Sequence, residues 1–211
     1  MGLPVVLNIK GRLCCVVGAG NVAERKIQSV LNAGANVRVV GFDPTPKIKA
    51  LAIHQQVELH QRRFVEADLV GCWMVFAATN DVEVNARVGM LAHKQGILFS
   101  HTAGEDSDFT LPAVLDLGDL QVSVSTSGAS PLYARWVRDY LQDHLSCGHE
   151  EVLSLLKKVR EQLKSDLPDD SAHRQAILRA LITPDMVKAV QAGNVNQVKQ
   201  RISECLSLSQ G

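Results

Sequence analysis

Along the first hundred residues, short apolar runs alternate with stretches whose apolar positions recur at helical spacing. Leu13–Val17 is a continuous apolar run, the pattern of a strand buried on both faces. It ends in Gly18-Ala19-Gly20, after which Ala23, Ile27, Val30 and Leu31 fall at i, i+4, i+7 and i+8. That spacing marks one face of a helix, closed by Gly34. The same alternation predicts strands at Val37–Val40, Val57–Leu59, Trp73–Ala78 and Ile97–Phe99, with helices at Pro46–Ala52 and Val82–His93. Strands separated by helices imply a parallel sheet built from right-handed βαβ units.

After about residue 108 the rhythm changes. Phe109–Leu115 and Leu120–Thr126 are apolar-rich runs separated by Asp116-Leu117-Gly118-Asp119, which predicts an antiparallel pair joined by a turn. Ser130 and Pro131 are the N-cap and first residue of a helix reaching about Leu145. From His149 onward only helical patterns remain: Val152, Leu155, Leu156, Val159 and Leu163 share a face, and further helices are marked by Ile177/Leu178/Leu181 and Val195/Val198/Ile202. Asp166–Ser171, with Pro168, is a connecting loop. The chain therefore divides into an α/β part over 1–108, a short mixed part over 109–146 and a helical part over 147–211.

The glycine turn carries the chemistry. Gly18-Ala19-Gly20-Asn21-Val22-Ala23 is a G-x-G-x-x-A element. In a dinucleotide site the first glycine, Gly18, permits the tight strand-to-helix turn, and the second, Gly20, lets backbone approach a pyrophosphate. The small third residue lets helix pack on sheet, and the helix start offers free N–H groups to the phosphates. A bare structural glycine turn has the same letters, but a buried strand before it and an amphipathic helix after it favour the dinucleotide reading. Asp43 is the first carboxylate beyond the second strand, and is either a ribose ligand or a turn carboxylate before Pro44. No arginine follows closely to receive a 2′-phosphate, which favours NAD over NADP. Thr79, with Asn80, follows the fourth strand, where a doubly wound sheet lines its crevice; both residues also suit a helix cap.

Composition narrows the class. The chain is 46% hydrophobic and 21% charged, as in folded globular proteins. Its 22 basic and 22 acidic residues cancel, so no global field draws it to nucleic acid or a membrane surface. Cys14, Cys15, Cys72, Cys147 and Cys205 form no CxxC pair and are odd in number. This argues against a disulfide framework and fits reduced thiols in a cytoplasmic protein. No run reaches transmembrane length. The seven histidines form neither H-x-x-x-H nor H-E-x-x-H, so no resident metal is expected.

Three stretches occur in a recognisable order and spacing: Gly18-Ala19-Gly20-Asn21-Val22-Ala23-Glu24-Arg25-Lys26, Ala77-Ala78-Thr79-Asn80-Asp81 with Val84-Asn85, and Ser125-Thr126-Ser127-Gly128-Ala129-Ser130-Pro131. Together they resemble the precorrin-2 dehydrogenase family, which includes the dehydrogenase/ferrochelatase module of sirohaem synthases. The resemblance spans about residues 3 to 145. It implies an NAD-binding Rossmann domain over 1–108, a swapped dimerisation region over 109–146, and a helical domain over 147–211. It further implies a homodimer that oxidises precorrin-2 to sirohydrochlorin with NAD, some members also inserting Fe²⁺. By position, Asn21, Val22, Phe42 and Asp43 would contact the cofactor.

That resemblance has one departure. Bifunctional members carry an Asp after the fifth strand, in a pattern like Asn-Val-Val-Asp, where this chain reads Ser100-His101-Thr102-Ala103. Metal insertion needs a base for the pyrrole protons, and Ala103 supplies none. His101, Glu105, Asp106 and Asp108 are the nearby titratable groups, His101 and Asp106 being the candidates for catalysis. The polycarboxylate substrate implied by the resemblance calls for guanidinium groups, of which Arg135 and Arg138 are the leading candidates and Arg62 and Arg63 the lesser ones. Ser127 lacks a G-x-S-x-G elbow and suits a turn or a substrate contact. Two readings of other classes stay open: a dinucleotide-binding sensor without turnover, and a metallochelatase that keeps the nucleotide fold for structure.

Overall fold

The computed structural model describes residues 2–101, 106–145 and 149–208. They form two compact units, Met1–Leu111 and Pro112–Gly211.

In the first unit, β1 (Leu13–Val17), β2 (Asn36–Val40), β3 (Glu58–His60), β4 (Cys72–Ala77) and β5 (Leu98–His101) make one parallel sheet in the order β3-β2-β1-β4-β5. This is the Rossmann-type order, with its switch point at β1. Alternation along β1 feeds both faces of the sheet. Cys14 and Val16 join the cluster under α1 (Asn21–Asn32) and α2 (Pro46–Ile53), whereas Cys15 and Val17 join the cluster under α3 (Val82–Lys94). The helix face predicted for α1 is the one buried: Ala23, Ile27 and Val30 are sealed against the sheet. Burial, with a smaller contribution from Cys72, pushes the Cys14 thiol up to about 11, as befits a small hydrophobe rather than a nucleophile.

Several boundaries differ from the sequence reading, each for a local reason. β3 is Glu58–His60 rather than Val57–Leu59, because Val40 pairs with His60 at the inner end of the strand. β5 runs on to His101, because Phe76 and Ala77 extend the ladder to Ser100 and His101. Arg62 is not free for substrate: its guanidinium grips buried Asp68 with two hydrogen bonds of 2.8 and 2.6 Å, and the Val65 amide adds a third. Burial works to raise the Asp68 carboxyl, but these donors outweigh it and hold it below the usual range.

In the second unit, β6 (Ala113–Leu117) and β7 (Leu120–Val124) form the antiparallel pair, shorter than the runs that predicted it. Phe109 owes its apolar character to the first unit, where its ring packs edge-on against Phe76 at 5.4 Å. Thr126 leaves the strand because its hydroxyl bonds both backbone groups of Ser130. The turn is two residues, not four: Leu117 pairs with Leu120, and Gly118 at the first loop position takes φ 72°. α4 (Pro131–His144) follows, with Ser130 Oγ accepting from the Tyr133 amide at 3.2 Å as the sequence predicts. The remaining helices α5 (His149–Asp166), α6 (Ser171–Leu181), α7 (Pro184–Gln191) and α8 (Val195–Leu208) share a core built around Val159, Leu163, Leu181 and Val198. The periodicity reading missed α7. Its signal is Thr183-Pro184, the same hydroxyl-plus-proline start that marks α4. Among the described residues no helix is long and apolar enough to cross a membrane.

Candidate active site

The candidate residues of the first unit lie toward the C-terminal edge of its sheet, where the segments after β1, β2 and β4 meet. Gly18 sits at φ 125°, and a Cβ there would lie 2.4 Å from the Ala78 carbonyl oxygen. The backbone after β4 therefore closes directly over the turn after β1. Gly41, after β2, approaches from the other side: its Cβ would lie 3.0 Å from the Ala19 nitrogen. Backbone hydrogen bonds fix this convergence, Gly18 N–H to Val40 O at 2.8 Å, Ala78 N–H to Val17 O at 2.8 Å and Thr45 N–H to Ala19 O at 3.1 Å.

Gly20 behaves differently. It is the N-cap of α1, with φ −86° and ψ −171°, and supplies no side-chain cap. A Cβ there would meet nothing within 4 Å. Open space thus faces the start of a helix whose first amides lack side-chain acceptors, which is the arrangement an anionic pyrophosphate requires. Asn21 and Val22, both exposed, form the rim, while Ala23 is fully buried against the sheet. The residues present fit a dinucleotide.

Beyond β2, Phe42 is 57% exposed and Asp43 holds a left-handed backbone at φ 46°, so this short loop turns sharply just where a ribose ligand is needed. On the far side of the switch point, Thr79 does not cap α3. Asp81 does, accepting from the Glu83 and Val84 amides at 3.0 and 3.1 Å. Thr79 is instead clamped by buried Asn85, whose Nδ2 donates to the Thr79 carbonyl at 2.9 Å and whose Oδ1 lies 2.7 Å from the Thr79 hydroxyl. His101 ends β5 in register with Ala77, its ring stacked on Phe99 at 6.4 Å and its amide donating to Ser107 Oγ at 2.9 Å. Asp106 is exposed. Asp108 is occupied structurally: its carboxylate accepts from the Phe99 amide at 2.8 Å and lies 3.4 Å from His93. Ala103 and Glu105 lie outside the described residues.

The other candidates lie in the second unit. Ser127 is exposed at φ 51° in the turn before α4, beside Gly128 at φ 87°. Arg135 is exposed on α4 with no polar partner among the described residues. Arg138 is engaged by its neighbour Asp139, at 2.8 Å through Nε and 2.5 Å through a terminal nitrogen.

Sequence reasoning missed three residues that hold the site together. Gly41 and Thr45 tie the β2–α2 loop to the glycine turn, and Asn85 sets the loop after β4. Thr45-Pro46 announces itself as a capping pair, with Thr45 Oγ1 accepting from the Ile48 amide at 3.3 Å. Asn85 enters the sequence reading only through the family resemblance; an asparagine on the buried face of a helix is the signal that would have found it. The cradle leads to a stability prediction. Gly18→Ala must combine a left-handed backbone with a collision against the Ala78 carbonyl, together about 2–5 kcal/mol of destabilisation. Urea unfolding of variant and wild type measures it, and a loss below about 1 kcal/mol would contradict this packing.

Residues 5–113 match a family described as putative NAD(P)-binding, and residues 118–144 match the sirohaem biosynthesis protein central family. The chain is 38% identical over 144 residues to siroheme synthase 2 of Klebsiella pneumoniae, covering 68% of this chain and 32% of that protein. It is 31% identical over 206 residues to siroheme synthase of Pseudomonas paraeruginosa, covering 97% of this chain and 44% of that one. It thus spans less than half the length of these curated relatives. Among solved structures it resembles SirC, a precorrin-2 dehydrogenase, with TM-score 0.75 and 25% identity, covering 94% of this chain and all of that one. The glycine cradle, the Asp43 turn and the Asn85 clamp all fall inside the first matched segment, and the chain belongs to the putative NAD(P)-binding family.

Proposed function

We propose that this chain is an NAD-dependent precorrin-2 dehydrogenase of sirohaem biosynthesis, oxidising precorrin-2 to sirohydrochlorin. The observation that carries this reading is the likeness to SirC along nearly the whole chain, in a molecule that keeps an open glycine cradle at Gly20. Bound there, NAD would supply the hydride acceptor. The chain's own residues position the partners. The α1 amides at Asn21 and Val22 face the pyrophosphate, Asp43 takes the ribose hydroxyls with Phe42 beside it, and Thr79, fixed by Asn85, borders the nicotinamide side. His101 and Asp106 are the groups available to handle a proton at the edge of the sheet. Ser127, Arg135 and Arg138 are assigned to the substrate carboxylates. A cytoplasmic location suits the apolar setting of Cys14 and Cys15.

Cofactor choice tests the assignment of the Asp43 turn. A carboxylate facing the ribose repels a 2′-phosphate, so NADH should bind at least about tenfold more tightly than NADPH in a fluorescence titration. Equal affinities would remove Asp43 from the site.

The second unit supports a homodimer. The β6–β7 pair is a two-stranded sheet with open edges, marginal by itself. α4 adds an exposed aromatic stripe, with Tyr133 and Trp136 each 58% exposed and Tyr140 48%. Their rings stack in sequence at 5.7 and 5.6 Å. A second copy covering this face would bury it. Sedimentation at micromolar concentration should give about twice the 22.9 kDa chain mass, and Trp136→Glu should shift it to the monomer. A fully active wild-type monomer would contradict the dimer.

A further inference from the structure

Of the three charges in Glu24-Arg25-Lys26, Glu24 is engaged and Arg25 is exposed. Glu24 accepts from the Thr45 hydroxyl at 2.7 Å and pairs with Lys47 at 3.6 Å. Lys26 is different. It is half-buried, next to the sealed Ile27, and its ammonium stands 5.7 Å over the centre of the Phe76 ring. Phe109 packs edge-on against that same ring. Among the described residues no carboxylate pairs with Lys26. Burial, and then Arg25 beside it, pull its pKa below the ordinary lysine value.

A partly desolvated ammonium that meets an aromatic face and no anion is incompletely compensated, and an arriving anion would complete it. Its place in the fold says which one. Helical side chains lean toward the helix N-terminus, so Lys26 reaches back toward the end where Gly20 leaves open space. Phe76 lies on β4, two residues before the Ala78 carbonyl that closes over Gly18. The amine is therefore on the β4 side of the switch point. The ribose carboxylate, by contrast, belongs at the end of β2, and the pyrophosphate at the first amides of α1.

We propose that Lys26 is a positioning residue that holds a carboxylate of the tetrapyrrole on the β4 side of the glycine turn. The assignment rests on the precorrin-2 reading above. The tests use Lys26→Met, which keeps the stem and removes the charge, Lys26→Gln as a second neutral variant, and Lys26→Arg. Uroporphyrin, an octacarboxylate, serves as a binding probe that needs no cofactor. Losing one charge-assisted contact corresponds to roughly tenfold. Uroporphyrin affinity should fall and the KM for precorrin-2 should rise by about that factor, with kcat less affected and NADH affinity unchanged. Lys26→Arg should restore most of the loss. Folded neutral variants with unchanged uroporphyrin affinity and KM would overturn the proposal. So would a selective loss of NADH binding, which would give the anion to the cofactor pyrophosphate. A wild type that never oxidises precorrin-2 overturns the functional reading, and this assignment with it; an active wild type with indifferent neutral variants overturns this assignment alone.

Discussion

Replacing Gly20 by aspartate should weaken NADH binding by nearly three orders of magnitude while leaving the protein folded. The fold survives because a side chain at Gly20 enters open space, unlike one at Gly18, and because φ −86° is ordinary for any residue. Binding should fail because the proposed function gives that space to the pyrophosphate. A carboxylate about 4 Å from a phosphate charge costs about 4 kcal/mol at the effective dielectric of a protein surface, before any steric term. Fluorescence titration with NADH, alongside thermal melting to confirm the fold, measures both parts. A folded Gly20→Asp protein with native NADH affinity would mean that the cofactor does not use this turn.

The second large effect concerns iron. With sirohydrochlorin and Fe²⁺ under strict anaerobiosis, the wild type should form sirohaem slowly or not at all, and Ala103→Asp should gain activity. Position 103 carries a methyl group where the resemblance calls for a carboxylate, and a positioned general base is typically worth about 10²–10⁴ in rate. Dehydrogenation depends more on holding two partners together and should change less in the same variant. Rapid sirohaem formation by the wild type would refute this division. If His101→Ala then abolished it, the base would be the histidine that ends β5.

How far the sequence discloses this molecule depends on how local the relevant physics is. β1, α1 and the glycine turn were legible because burial on two faces and a helical stripe each leave a periodic trace in a few residues. The expectation that Gly20 leaves room for a ligand came from its neighbours alone, and the structure has open space there. What escaped reading is set by contacts distant in sequence. Arg62 looks like any loop arginine until Asp68, buried six residues on, claims it. Gly41 has no pattern of its own; only the approach of Ala19 makes a side chain there costly. Phe109 reads as the start of a strand, yet its ring packs on Phe76, 33 positions earlier in the chain. α7 is a contrary case, since Thr183-Pro184 marks its start plainly and Met186, Ala189 and Val190 fall at i, i+3 and i+4, a face of only two turns that the reading passed over.

The most direct test of the central claim is an anaerobic assay of the purified chain with precorrin-2, with and without NAD⁺, following sirohydrochlorin and NADH by absorbance. The account predicts that both products appear together, in equal amounts, and only when NAD⁺ is present. Sirohydrochlorin forming at the same rate without NAD⁺, or NADH binding with no oxidation of precorrin-2, would contradict it.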